Sequence, residues 1–193
     1  MKKHHYILGL VLILATTACS RLAVGPAHRE WTEDVLLEDG KTIIVKRVVE
    51  FNETNSLSGD SYNAVETDAS ISFTGMLNDL PPWRQPLMAL LLYLDGSTNE
   101  WVVVATTTSC EIWLVRGKPR PLYWEFRLRD GEWRDVPLSS SSIGRPVNLL
   151  HRYQNKLEKT HITIDDRKRL ESNSTILRSF RSIVTDEKVN CMG

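Results

Sequence analysis

The chain carries no surplus of charge: 24 Lys and Arg balance 24 Asp and Glu over 193 residues. Gripping a run of phosphates takes a basic excess, so nucleic acid is not an expected partner. No long block of like charge appears. Arg167-Lys168-Arg169 is offset by Asp165, Asp166 and Glu171, the pattern of a solvated helix face. Motifs of chemistry are missing as well. There is no G-x-S-x-G elbow, H-E-x-x-H, S-x-x-K, C-x-x-C or phosphate-cradling glycine loop. Sequence alone therefore assigns no catalytic residue, metal ligand or cofactor. Past the first 18 residues the histidines are His28, His151 and His161, and the last two are too far apart for an i, i+4 metal pair. No apolar run reaches the ~20 residues that a helix needs to cross a bilayer.

The longest apolar run, Tyr6 to Ala15, sits at the start. Lys2 and Lys3 precede it, and the small residues Thr16-Thr17-Ala18 lead into Cys19. A positive end, a short apolar stretch and small residues form a secretory signal. With the cysteine at that spacing, residues 1–20 resemble bacterial lipoprotein precursors, departing from the usual pattern at Thr16, where Leu is common. The resemblance implies cleavage before Cys19 and acyl chains on its thiol. Ser20 in place of Asp implies retention at the outer membrane, facing the periplasm. Several acyl chains make release slow, at ~0.8 kcal/mol per buried methylene.

Residues 1–18 then form a signal peptide, 19–30 a lipidated cysteine and tether, and 31–193 one domain, long enough for a real core. Without Lys2 and Lys3 the mature chain has 22 basic and 24 acidic residues. Lipid on Cys19 leaves Cys110 and Cys191, and two cysteines in an oxidising compartment usually pair. A Cys110–Cys191 disulfide bond is expected, with two buried thiols as the alternative.

The body reads as hairpins. Asp-Gly appears at 39–40, 95–96 and 130–131, each time between apolar or β-branched runs. A two-residue loop at Asp39-Gly40 sets Glu38 against Lys41 and Leu36 against Ile43. The same loop at Asp130-Gly131 sets Arg129 against Glu132 and Leu128 against Trp133. In that hairpin Trp124, Phe126 and Leu128 share one face, and Tyr123, Glu125, Arg127 and Arg129 the other. Ala69 to Gly75 alternates with Ile71 and Phe73 inward. Leu87 to Leu94 is read as a buried strand answered by Trp101 to Val104. The strand pattern continues to Cys110, and Glu111 to Val115 begins another. Thr163 with Asp166 predicts a capped helix over 164–172, and Ile176 to Val184 predicts a second. The four serines 139–142 lack a paired base and read as a loop.

These patterns predict a mainly β fold: an antiparallel, hairpin-built sandwich or partly open barrel with one or two short C-terminal helices. Two surface features suggest binding. The polar stretch 52–68 reads as a loop whose Asp60, Asn63 and Glu66 offer hard oxygens of the kind calcium takes, at no calcium-loop spacing, so no metal is assigned. Trp83, beside two prolines, is the candidate exposed aromatic for stacking on sugars or peptides. The strings YNAVETDASISFTG, EWVVVATTTSC and YWEFRLRDGEW resemble proteobacterial lipoprotein-like sequences of no known activity. The expected role is a non-enzymatic binding module at the bacterial envelope, its partner an envelope protein or a glycan. The alternatives are an envelope-maintenance protein that contacts glycan, or an enzyme with an unrecognised site.

Overall fold

The structure is a computed structural model that describes residues 27–54, 63–107, 109–150, 159–173 and 181–185. Two sheets form. The first has the order β4-β3-β2-β1-β9, built from β1 (Ala27–Leu36), β2 (Thr42–Thr54), β3 (Asn63–Phe73), β4 (Trp83–Gln85) and β9 (His161–Ile162). The second is β5 (Met88–Asp95), β6 (Glu100–Thr106), β7 (Trp124–Arg129) and β8 (Glu132–Val136), in that order. Every pairing is antiparallel except β1 with β9. Two short helices, α1 (Cys110–Val115) and α2 (Ile164–Asn173), complete the described elements, and the sheets do not close into a barrel. The expected mainly antiparallel two-sheet architecture is present. Helix placement differs, because α1 lies between β6 and β7 rather than near the C-terminus.

Alternation explains the layers. Trp31, Val35, Val45, Val49, Ala69, Ile71 and Phe73 line the inner face of the first sheet. Ala89, Leu92, Val103, Ala105, Trp124 and Phe126 meet them from the second. The second sheet is also covered on its outer face. There Leu90, Tyr93, Val102 and Val104 pack with Val147 and Ile183. This is why β5 and β6 are apolar on both faces.

The two sheets are stapled by Asn148. Its amide oxygen accepts from Leu92 N at 2.9 Å, and its amide nitrogen donates to Leu92 O at 2.7 Å and Leu36 O at 3.2 Å. The side chain thus imitates a strand along the outer edge of β5 while reaching β1.

The three Asp-Gly dipeptides make three different loops. At 130–131 both residues have positive φ, 51° and 78°, and Leu128↔Trp133 and Arg129↔Glu132 pair as expected. At 39–40 the expected register is corrected. Leu36 faces Thr42, Val35 faces Ile43, and Leu37 N donates to Lys41 O at 2.8 Å. Only Gly40 is left-handed there, so the loop holds three residues. The extra residue keeps Val35 and Val45 inward, each fully buried. At 95–96 the loop holds four residues. Asp95 faces Glu100, and Asn99 rather than Gly96 takes the positive φ.

Further corrections concern extents. β1 begins at Ala27, inside the segment read as tether. The described residues of the stretch 52–68 are strand: Asn52 to Thr54 extend β2 and Asn63 to Asp68 extend β3. Glu111 to Val115 is helical, capped by the Ser109 hydroxyl accepting from Ile112 N at 3.3 Å. Ile183 and Val184 are not helical; Ser182 forms a bridge with Pro146. Residues 176–180 lie outside the described residues. The capping box at α2 is present as expected. Thr163 Oγ1 accepts from Asp166 N at 3.1 Å, and Asp166 Oδ2 accepts from Thr163 N at 3.3 Å.

Candidate functional site

The strongest concentration of charge lies on the outer face of the second sheet, where the strands place Asp95, Glu100, Glu125, Arg127 and Arg129 side by side. Arg127 is 6% exposed and Glu125 fully buried. Arg127 Nε donates to Glu125 at 2.7 Å, and its Nη1 to Asp95 at 2.9 Å and Glu100 at 3.0 Å. Its Nη2 reaches the hydroxyls of Ser139 and Ser141 at 3.2 and 3.3 Å. Glu125 then holds the serine loop. Its Oε2 accepts from Ser139 N at 2.9 Å, Ser139 Oγ at 2.8 Å and Ser142 Oγ at 2.7 Å. Arg145 stacks over the Tyr93 ring at 3.9 Å, closing one side.

Electrostatics follow the contacts. Bonds from Ser97, then Arg127, hold the Asp95 carboxyl at about 2, against the cost of burial. Arg129, then Arg127, holds Glu100 at about 2. Burial alone would lower Arg127, but Glu100, Glu125 and Asp95 outweigh it and raise it. The serines that looked unpartnered in sequence therefore do meet a carboxylate. Glu125 serves them as acceptor for three donors while also accepting from Arg127. This occupies the carboxylate in holding the loop in place.

A second polar centre sits inside the core. Arg47 Nη1 donates to Glu33 Oε1 at 2.7 Å, and Glu33 Oε2 accepts from Leu150 N at 2.8 Å. Both side chains are almost wholly buried. Burial pushes the Glu33 carboxyl up, and Arg47 opposes that rise. The Arg47 guanidinium lies over the Trp31 ring at 5.4 Å.

A third group has the outline of a nucleophile–base–acid series. Thr32 Oγ1 is 2.8 Å from His161 Nδ1, and His161 Nε2 is 3.2 Å from Asp34 Oδ1. Thr32 Oγ1 also donates to the Thr160 carbonyl at 3.3 Å. A hydroxyl carries one proton, so Thr32 donates either to that carbonyl or to His161 Nδ1, according to the histidine tautomer. The group pins β9 to β1.

The residues singled out in sequence fare differently. Trp83 is fully buried, with its ring edge-on to Phe126 at 5.6 Å, and its indole N–H has no acceptor among the described residues. The exposed stacking aromatic is therefore corrected to a core residue: β4 pairs with β3 and turns the indole inward. Asn63 and Glu66 lie on β3, not on a loop, and Asp60 lies outside the described residues. Cys19 also lies outside them. Among the described residues no two cysteines stand at disulfide distance. Cys110, at the start of α1, is a bonded rather than a titrating cysteine, and Cys191 lies outside the described residues. Cys110 is the one cysteine among the described residues, so the expected disulfide bond is not seen among them and its expected pairing with Cys191 lies outside them.

Sequence reasoning missed the Arg127 and Glu33 centres. A signal existed for each. Strands β5 and β6 are apolar on both faces, so the neighbouring Glu125/Arg127 face had to be covered too. Glu33 falls between Trp31 and Val35, and Arg47 between Val45 and Val49, on core parity. No family model, no curated protein and no solved structure matches this chain.

Proposed function

We propose that this chain is a membrane-anchored envelope lipoprotein acting as a binding module, with the β2–β3 hairpin as its contact element. The N-terminal features of residues 1–20 support the anchor. The observation that carries the binding role is the reach of the hairpin past its neighbours. β2 and β3 stay paired out to Thr54↔Asn63. On one side β1 ends at Ala27↔Phe51. On the other, β4 ends at Ala69↔Gln85. Residues 63–68 of β3 thus have β2 on one side and no strand among the described residues on the other. An open strand edge is a template for an added strand. Residues 52–68 contain Glu53, Asp60, Glu66 and Asp68 and no Lys or Arg, so the partner is an envelope protein offering an extended, basic segment.

Because Glu50 pairs with Asp68, residues 51–67 can be replaced by Asn-Gly as a two-residue hairpin loop. The core strands up to Val49 and from Ala69 remain. Affinity capture from envelope extract with both chains gives the decision. The expected result is a saturable partner held by the intact chain and lost with the shortened one, at similar thermal midpoints. Identical capture by both chains, or none by either, would rule the hairpin out.

A further inference from the structure

The β6–β7 connection, described over residues 109–123, caps one end of the second sheet. Several contacts show which end. Thr106 Oγ1 donates to Leu122 O at 2.7 Å, closing the connection at its base. Arg116 Nη2 donates to Gln85 Oε1 at 2.6 Å, and Gln85 pairs with Ala69, which in turn faces Val49. That is the end at which β1 enters, with Arg29 opposite Val49. The other end is marked by Leu36 on Asn148 and Phe73 against Trp101 at 5.1 Å.

Helix α1 turns Trp113 inward, where its indole donates to Pro119 O at 3.2 Å. That leaves Leu114 and Val115 outward, 49% and 82% exposed. Arg116, Lys118 and Arg120 follow at once, Lys118 and Arg120 exposed; Glu111 is the one acidic residue of 107–123. Outward apolar side chains flanked by cations are the composition of an interfacial membrane contact.

We propose that this connection docks on the surface of an anionic phospholipid membrane, the same membrane that holds Cys19. The inference rests on the anchoring reading above. Seven residues, 20–26, separate Cys19 from Ala27, and fully extended they span about 25 Å. The α1 end of the second sheet lies one layer away, about 10 Å. The lipid therefore holds this end of the domain close to the headgroups. Charge then selects which half touches. The acidic β2–β3 hairpin projects from this same end on the first sheet; anionic lipid repels it and attracts the α1 connection, so the domain leans on α1.

The test is hydrogen–deuterium exchange on the full lipidated chain. It is read in phosphatidylethanolamine vesicles with and without phosphatidylglycerol, and in detergent at two protein concentrations. Mass spectrometry of Cys19 and vesicle co-flotation are run alongside. Slower exchange over 109–118 only with phosphatidylglycerol is the expected result. Lys118→Glu with Arg120→Glu should reduce that protection roughly tenfold or more, and Leu114→Asp with Val115→Asp should remove it, with the far-ultraviolet spectrum unchanged. A lipidated, co-floating chain whose segment exchanges equally in all vesicles would overturn the docking and leave the anchor standing. Protection that rises with protein concentration in detergent would assign the patch to a second copy and also overturn it. A chain without lipid on Cys19 would remove the anchoring reading, and the docking with it.

Discussion

Glu33 and Arg47 show what a buried charge does to a small β core. The pair sits among Trp31, Val35, Val45 and Val49, where the strand alternation calls for apolar residues. Desolvation of two ions is offset by their mutual attraction and by the Leu150 amide. Because burial raises the Glu33 carboxyl, folding favours its protonated form. Its contribution to stability is therefore largest below 4.5 and declines as pH rises through the folded value. Removing one partner leaves the other charge uncompensated. Glu33→Ala is expected to cost about 3–5 kcal/mol in urea unfolding at neutral pH. Glu33→Leu combined with Arg47→Met should cost much less, because both ions go together. A double variant as unstable as the single one would mean that the ion pair itself contributes net stability.

Among the elements, the loops show how much a dipeptide leaves open. Asp-Gly serves three hairpins, yet the glycine has positive φ at Gly40 and Gly131 and not at Gly96. A side chain at Gly131 meets open space but an unfavourable backbone, with φ +78. Gly131→Ala should therefore lower stability by about 1 kcal/mol, while Gly96→Ala should be nearly neutral. Paired thermal melts would check this, and an equal loss at both sites would contradict the loop assignments. The helices teach a related lesson. Thr163 and Asp166 announced α2 because both halves of the capping box are local. Glu111 to Val115 read as strand because Ile112, Trp113 and Val115 favour strand by propensity. Ser109 and the buried Trp113 decide for helix.

At the scale of the whole molecule, the Asp95–Glu100–Glu125–Arg127 network joins three strands of the second sheet to the serine loop that roofs it. Asp95 and Glu100 are held near 2, below their ordinary 3.8 and 4.5. Depressed carboxyls contribute stability above the unfolded values, and the contribution is lost as pH falls through the folded ones. Unfolding midpoints in urea should therefore drop between about pH 4.5 and 2, and Glu100→Gln should flatten that slope. A variant slope as steep as the wild type would remove Glu100 from the acid response. The same pH range protonates Glu33 in the unfolded chain, but its sign is opposite; Asp166, held low by Lys159 and Thr163, adds to the same limb as the outer network.

Local chemistry determined the hairpin at Asp130-Gly131 and its register, the inward faces of β3 and β7, and the capped start of α2. Each depends on residues within a few positions of one another, so strand period, turn sterics and capping bonds suffice. Tertiary structure decided the three-residue loop at Gly40, the burial of Trp83, the strand character of 63–68 and the role of the four serines. These depend on partners far along the chain: Trp83 on Phe126, Ser142 on Glu125, Asn148 on both Leu36 and Leu92. Sequence spacing does not carry such distances. It is the meeting of two sheets, each needing its faces covered, that brings those residues together.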